Sequence, residues 1–159
     1  MRLFRAGGRN WMDVQPKRMS SAGVLLENAA GELLIVKAGY RDYWTLPGGI
    51  IEENETPRQA AARETLEEVG LPLDPDTLVF VSVANRASAQ AHTYQFIFRA
   101  VLPVSEITLQ PGELEGFDFV SKDRVIAADR RYARAVQDWA KDLSGYIEQA
   151  FDRDREGLE

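Results

Sequence analysis

The stretch PGGIIEENETPRQAAARETLEEVGL, residues 47–71, decides the fold because it combines a tight turn with a helix whose two ends are both marked. Thr56 stands where an N-cap is expected, Pro57 follows at the first helical position, and Gln59 completes a capping box. Gly70 then supplies the residue that commonly ends a helix. The stretch therefore predicts a sharp turn followed by one short, well-delimited helix.

Three acids of this helix, Glu64, Glu67 and Glu68, fall on one face at 3.6 residues per turn. Like charges one turn apart repel, so such a face is either solvated or used to hold cations. Spacing alone favours a solvated face, since acidic clusters at helical spacing are common. The alternative is a site for Mg²⁺ or Mn²⁺, which prefer carboxylate oxygens, with the bare backbone of Gly48 and Gly49 approaching it.

These residues resemble the signature of the Nudix hydrolases, GX5EX7REUXEEXGU, in which U is aliphatic. The one departure is Thr65 at the first U position, a small and partly apolar residue that disturbs the pattern little. The matching positions are Gly49, Glu55, Arg63, Glu64, Glu67, Glu68, Gly70 and Leu71. The resemblance favours the cation site over the solvated face.

The resemblance implies hydrolysis of a nucleoside diphosphate linked to another moiety, with Mg²⁺ or Mn²⁺ as cofactor. Carried over by position, the metal ligands would be Glu64, Glu67, Glu68 and the carbonyl of Gly48, with Glu67 and Glu68 also counted as catalytic. Arg63 and Glu55 would form a supporting pair, with Gly49 and Gly70 as supporting glycines. Such ions neutralise the diphosphate charge and activate water.

A general base for the attacking water is sought in the later segment PGELEGFDFVS, which offers Glu113 and Glu115 ahead of a strand. Glu115 is the favoured candidate. The alternative is that both are ordinary loop acids.

The rest of the chain is typical of a globular protein, with 159 residues, 45% hydrophobic and 28% charged. A net charge of −6 argues against broad nucleic-acid binding, which relies on a basic face. The absence of cysteine excludes disulfides, zinc–thiolate sites and cysteine nucleophiles. No signal peptide or membrane-length apolar run is present, so a cytoplasmic location without membrane binding is expected.

The chain divides into an N-terminal arm (1–19), a Nudix domain (20–152) and a charged tail (153–159). Apolar runs around residues 28–31 predict a β-hairpin, and 77–87 and 91–102 predict two longer strands. Short strands are predicted at ITL (107–109) and FDFVS (117–121), and a helix from Arg130 to about Phe151. The predicted fold class is α/β (α+β), a Nudix-like α/β/α sandwich around a mixed central β-sheet. A homodimer through the arm or the last helix stays an alternative.

Substrate contacts are predicted at Tyr43 and Trp44, whose rings could stack on a base, and at Arg86, which could reach a phosphate. For Trp44 a place at the end of the hairpin core is preferred, and Arg86 could equally be a surface charge. The signatures of ADP-ribose, dinucleoside-polyphosphate, NADH and coenzyme A hydrolases are absent. A nucleoside triphosphate, including an oxidised one, is therefore the default substrate. A nucleotide sugar, another nucleoside-diphosphate derivative, or regulatory nucleotide binding without catalysis are the alternatives.

Overall fold

A computed structural model of the chain describes Gln15, residues 17–87 and residues 92–149. Within this part the chain forms one seven-stranded mixed sheet in the order β6-β2-β1-β5-β4-β7, and β3 pairs with β1 beside it. The strands are β1 Ser20–Glu27, β2 Leu33–Ala38, β3 Gly48–Ile50, β4 Val79–Ala87, β5 His92–Val101, β6 Leu114–Val120 and β7 Gly145–Gln149. The helices are α1 Pro57–Val69, α2 Lys122–Ala127 and α3 Arg134–Ala140.

The predicted hairpin is present as β1 and β2, joined by a loop that Asn28 organises. The side-chain oxygen of Asn28 accepts hydrogen bonds from the backbone N–H groups of Ala30 and Glu32. Gly31 adopts a positive φ of 77°, which a residue with a side chain rarely takes. The residues of the loop therefore supply the contacts that close the turn between the two strands.

The sheet lies between two apolar layers, as expected of an α/β/α sandwich. On one face Val24, Leu26 and Phe98 pack against alanines of α1. On the other face Leu25 and Ile97 pack against the segment that contains α2 and α3. Adjacent residues of β1 thus serve opposite cores, because side chains alternate across a strand. The predicted fold class is confirmed.

The predicted C-terminal helix from Arg130 to about Phe151 is wrong. The structure has only α3 there, preceded by a 3₁₀ turn, and then β7 pairs in parallel with β4. Asp142 and Gly145 both have positive φ, which ends the helix and turns the chain into the sheet. Apolar residues recur at helical spacing through this segment, and of these Tyr132, Val136 and Trp139 are buried, whereas Leu143 is exposed. Phe151 lies outside the described residues.

The short strand predicted at 107–109 is also wrong, and its backbone hydrogen bonds show why. The N–H groups of Thr108 and Gln110 donate to the carbonyls of Val69 and Glu68 at the end of α1. These helix carbonyls have no partner within the helix, so the segment caps α1 instead of joining the sheet. The strand predicted around FDFVS is present as most of β6.

The three helices of the described residues are each too short and too polar to cross a membrane. The predicted tail 153–159 and all but four residues of the predicted arm lie outside the described part of the chain. The proposed division into arm, domain and tail stays a prediction.

Candidate active site

The helix α1 is fixed at both ends by the residues that the sequence singles out. The hydroxyl of Thr56 accepts a hydrogen bond from the N–H of Gln59, and the Gln59 side chain accepts one from the N–H of Thr56. At the other end Gly70 takes a left-handed conformation and its N–H donates to the carbonyl of Leu66. With both ends capped, the acidic side chains project from a helix of defined register.

Thr65, the departure from the family signature, is fully buried against the sheet. Its hydroxyl donates to the carbonyl of Ala61 one turn earlier, at 2.7 Å. The polar group is thereby satisfied within the helix, and the methyl group takes the place of an aliphatic side chain. The departure leaves the helix packing intact.

Glu68 is tied to the glycine turn that precedes the helix. The N–H of Gly48 donates to the Glu68 carboxylate at 2.8 Å. Gly48 has a φ of 150°, and a Cβ there would come within 2.2 Å of the Ala22 carbonyl oxygen on β1. Only glycine therefore allows β3 to lie this close to β1 and to present its N–H to Glu68.

Glu64 is placed by the next glycine. A Cβ at Gly49 would lie 2.4 Å from the carboxyl carbon of Glu64, so the carboxylate occupies the space that a side chain would fill. Gly49 is one of the glycines that the sequence predicted as supporting. The two glycines together bring the carboxylates of Glu64 and Glu68 against the same short strand, β3.

Arg63 organises the acids around it. Its guanidinium donates to both oxygens of Glu55, at 3.1 and 2.8 Å, which is the predicted supporting pair. It also donates to the carbonyl of Ile50 at 3.1 Å, and to Glu64 at 2.9 Å and Glu67 at 3.2 Å. One arginine thus joins the loop before α1, strand β3 and two of the three helix acids.

The electrostatics of the cluster follow from burial and these hydrogen bonds. Burial raises the pKa of Glu68 to about 7, against the lowering effect of its hydrogen bond from Gly48. Burial also raises the pKa of Glu64, although Arg63 opposes the change. The hydrogen bond from Arg63 lowers the pKa of Glu55 and raises that of Arg63 itself. Burial therefore disfavours the charged form of both of these helix acids.

The donor set suits a hard divalent cation, although the side chains are not gathered around one point. Across residues 17–87 and 92–149 no three acidic or imidazole side chains are arranged to hold a metal ion. Glu67, which is 49% exposed, is turned toward Arg63. Exposed side chains change rotamer readily. Three carboxylates on one helix face, two of them with raised pKa, are the chemistry that a divalent cation would stabilise.

Of the two candidate bases, Glu113 is the one whose charge acts on the cluster, since it raises the pKa of Glu68. Glu115 instead pairs with Lys37 at 3.1 Å and lies beside Gly39. The side chain of Glu115 is 57% exposed. The structure therefore places Glu113 within electrostatic reach of the helix acids. The favoured candidate, Glu115, is paired with Lys37 on the neighbouring strand β2.

The predicted substrate contacts are spread over different parts of the molecule. Trp44 is half-buried, and its backbone bonds to Arg131 and Ala133 in the segment before α3, which matches the preferred structural role. Arg86 donates to Gln95 on β5 at 2.9 Å and lies 3.7 Å from Asp138 on α3. Because α3 lies on the opposite face of the sheet from α1, these contacts draw Arg86 away from the glutamates.

Sequence reasoning missed Arg41, which lies between Tyr40 and the predicted contact Tyr43. The carbon at the centre of its guanidinium is 5.3 Å from the ring centroid of Tyr40 and 5.4 Å from that of Tyr43. The signal was present in the run YRDY, where a cation separates two aromatic rings just before the glycine turn.

The chain is similar to known proteins over most of the described residues. A model of the NUDIX domain matches residues 17–140. A Nudix hydrolase of Listeria innocua is 34% identical over 110 residues, which cover 65% of this chain and 64% of that protein. An RNA pyrophosphohydrolase of Hydrogenovibrio crunogenus is 47% identical over 51 residues, or 32% of this chain and 31% of its own length. The chain thus spans less than two thirds of both relatives.

Solved structures show the same fold. A MutT NUDIX hydrolase from Burkholderia pseudomallei superposes with a TM-score of 0.67 at 19% identity, covering 81% of this chain and all of that one. A NUDIX hydrolase from Nitrosomonas europaea gives a TM-score of 0.68 at 21% identity, covering 79% of this chain and 88% of its own. The sheet and helix arrangement around the acidic helix is therefore shared with these proteins.

Proposed function

Because the chain belongs to the Nudix hydrolase family, we propose that it hydrolyses a pyrophosphate bond in a nucleoside diphosphate linked to another moiety. The reaction would use Mg²⁺ or Mn²⁺, held by Glu64, Glu67, Glu68 and the carbonyl of Gly48. The proposal concerns substrate, cofactor and residue roles, which the family alone leaves open.

The observation that carries the proposal is the position of the Glu68 and Glu64 carboxylates against the glycine turn. Both acids are drawn against β3 by the absence of side chains at Gly48 and Gly49. A purely solvated acidic face would not hold partly buried carboxylates with raised pKa beside one another. Burial of like charges costs stability, and a bound divalent cation would offset that cost.

Each residue then has a part in the reaction. When bound, the cation neutralises phosphate charge and lowers the pKa of water. Glu64, Glu67 and Glu68 would hold that cation at the helix. Arg63 orients Glu64 and Glu67, and Glu55 fixes Arg63 through two hydrogen bonds. The capped helix fixes the backbone that carries these groups, so only side chains such as Glu67 have to turn toward the cation.

For the general base we keep Glu115 as a candidate and add Glu113 beside it. Glu113 is favoured by its electrostatic effect on Glu68. Glu115 lies two residues later, on β6. Replacing the base with glutamine should flatten the acidic limb of the pH–rate profile, whereas replacing the other glutamate should leave that limb unchanged. If both single variants keep the wild-type profile, neither residue is the base.

The substrate we propose first is a nucleoside triphosphate, oxidised forms included. A second candidate is the 5′-triphosphate end of RNA, because the relative in Hydrogenovibrio crunogenus is named an RNA pyrophosphohydrolase. Recognition would then be confined to the end of the RNA, since a net charge of −6 disfavours wider contact with its backbone. Nucleotide sugars and other nucleoside-diphosphate derivatives complete the set of alternatives.

A turnover screen tests the proposal. Wild-type protein, Glu68→Gln and the matched control Glu148→Gln would be incubated with Mg²⁺ and each substrate class. Glu148 is an exposed acid on β7, away from α1. We expect one class to be cleaved by wild type and by the control, and to be cleaved at least a hundredfold more slowly by Glu68→Gln. Product masses would identify the bond that is cut.

The main rival is a domain that binds nucleotide without cleaving it. It predicts no turnover of any class, together with a rise in melting temperature on addition of one ligand. A third possibility, an acidic domain with a structural role alone, predicts no effect of Mg²⁺ or nucleotide on the melting temperature. A homodimer stays an alternative.

A further inference from the structure

Arg41 is held in a defined position at the surface by two aromatic rings. Its guanidinium lies over the rings of Tyr40 and Tyr43, at 5.3 and 5.4 Å from their centroids. The backbone N–H of Arg41 donates to the carbonyl of Ala38, which closes the turn after β2. Stacking fixes the plane of a guanidinium but leaves its N–H groups, which point outward in that plane, available to an acceptor.

The turn that carries Arg41 is tied to the acidic site. The N–H of Gly39 donates to the carbonyl of Glu113 at 3.1 Å. The same segment, three residues earlier, donates from the N–H of Gln110 to the carbonyl of Glu68 at 3.0 Å. Residues 110–113 therefore connect the turn that carries Arg41 with the end of α1 at Glu68.

The charge of Arg41 has no ion-pair partner within the described part of the chain. Among residues 17–87 and 92–149, its side chain makes neither an ion pair nor a hydrogen bond. By contrast, Arg63, Arg86 and Arg124 each lie within 4.0 Å of a carboxylate. Among the described residues, Arg58 and Arg99 also form no ion pair, so what distinguishes Arg41 is its contact with two aromatic rings. Its N–H groups are available to an acceptor from outside the protein.

We infer that Arg41 is a substrate-positioning residue that binds phosphate oxygens of the substrate from the turn after β2, with Tyr40 and Tyr43 holding its guanidinium in place. The inference rests on the proposed function and adds a residue to it. The planar guanidinium matches two oxygens of one phosphate, which a lysine at the same place would not. The contact is made equally in the bound substrate and in the transition state, so it governs affinity and not the chemical step.

The test compares Arg41→Gln and Arg41→Lys with wild type and with the control Arg124→Gln. Arg124 is an exposed arginine on α2 that pairs with Asp118. Affinity for methylenediphosphonate, a diphosphate whose P–C–P link water does not cleave, would be measured by calorimetry in excess Mg²⁺. We expect Arg41→Gln to raise the Kd about tenfold to a hundredfold, Arg41→Lys to raise it less, and Arg124→Gln to leave it unchanged.

Kinetics provide the second readout. On whichever substrate the turnover screen identifies, Arg41→Gln should raise KM by a similar factor and leave kcat within about twofold. Tyr40→Leu should raise KM, and Tyr40→Phe should restore it, because the ring and not the hydroxyl holds the guanidinium. An Arg41→Gln protein that binds the diphosphonate as tightly as wild type would overturn the inference. So would a wild-type protein that does not bind the diphosphonate.

Failure of the inference and failure of the proposed function give different results. If the wild type turns over substrate and Arg41→Gln changes neither KM nor Kd, the role of Arg41 is rejected and the hydrolase activity is retained. No turnover of any substrate, with diphosphonate binding that depends on Arg41, removes the hydrolase but keeps Arg41 as a phosphate-binding residue.

Discussion

The carboxylate of Glu64 fills the space beside the backbone of Gly49. A Cβ at position 49 would lie 2.4 Å from its carboxyl carbon and 2.5 Å from one of its oxygens. Since the obstructing atoms end a flexible side chain, Gly49→Ala should fold while pushing Glu64 out of place. We expect at least a tenfold loss of turnover and a smaller rise in melting temperature on adding Mg²⁺.

The matched control for this substitution is Gly116→Ala on β6. A Cβ there would be 3.8 Å from the Trp44 ring, an ordinary contact distance. Gly116→Ala should therefore keep wild-type activity and metal response. Equal activity in Gly49→Ala and wild type would show that the position of Glu64 does not matter for turnover.

Glu68→Gln should stabilise the metal-free protein at high pH. The folded protein keeps Glu68 protonated up to about pH 7, whereas the unfolded chain releases that proton near its ordinary pKa of 4.5. The contribution of Glu68 to stability is therefore greatest below pH 4.5 and is lost as the pH rises through about 7. Glutamine stays neutral throughout. Relative to wild type, the variant should gain about 2 to 3 kcal/mol in free energy of unfolding between pH 4 and pH 8.

Denaturant unfolding in the presence of a chelator at the two pH values measures this difference. Groups that do not interact with Glu68 titrate alike in both proteins, so their effects cancel in the comparison. The interacting acids Glu64 and Glu113 contribute to the measured difference together with Glu68. Added Mg²⁺ should reverse the order at pH 8 by stabilising wild type alone. A stability difference that does not vary with pH would contradict the burial of an ionisable carboxyl at this position.

Arg63→Lys should weaken the site although the charge is kept. A single ammonium group cannot reproduce the two hydrogen bonds to Glu55 together with those to Ile50 and Glu64. We expect turnover to fall at least tenfold and the free energy of unfolding to fall by about 1 to 2 kcal/mol. Steady-state kinetics and denaturant unfolding measure the two effects. The same substitution at Arg124 should change neither, and a fully active Arg63→Lys would contradict the organising role of the guanidinium.

Thr65 allows a direct test of how the departure from the signature is accommodated. Thr65→Val removes the hydroxyl but keeps the shape, and the Ala61 carbonyl retains its helical hydrogen bond, so stability should change by less than about 1 kcal/mol. Thr65→Ser keeps the hydroxyl and removes the buried methyl group, which should cost about 1 kcal/mol or more. Denaturant unfolding compares the two variants. A larger cost for valine than for serine would show that the hydroxyl is the stabilising group.

The helix and its caps could be predicted because their signals are local. Thr56, Gln59 and Gly70 act within a few residues of their own positions, and the structure forms the interactions that their order indicates. The pairing of Arg63 with Glu55 was equally accessible, since both belong to the same turn and helix. Short-range chemistry of this kind survives in any tertiary context.

The end of the chain could not be predicted in the same way, because its structure is decided by a distant partner. Ile147 continued an apolar pattern with helical spacing, yet it lies on β7 opposite Ala84 of β4. The warning in the sequence was Gly145, whose positive φ turns the chain into the sheet. Pairing with a strand far away in sequence overrides local periodicity, and periodicity alone carries no information about that partner.

The side chains around the site also divide into those whose positions follow from local sequence and those whose positions depend on distant parts of the fold. The glutamate positions follow from helical geometry, whereas the partner of Arg86 depends on where α3 and β7 lie. Arg86 was a candidate phosphate contact, but its guanidinium is engaged with Gln95 and Gln149 beside Asp138. Arg41 was missed because its position depends on the turn after β2 and on the segment that connects this turn with α1. The spacing of Arg41 in the sequence does not indicate that arrangement.

The parallel pairing of β1 with β5 has a consequence for how the chain folds. Ser20 lies opposite Tyr94, so the centre of the sheet closes only after all of the chain between them has been synthesised. The hairpin, the glycine turn and α1 are contiguous and can form early, but one edge of β1 has no partner until β5 arrives. Long-range closure of this kind slows folding and exposes intermediates to aggregation. During synthesis on the ribosome, the acidic helix should therefore acquire its final surroundings late.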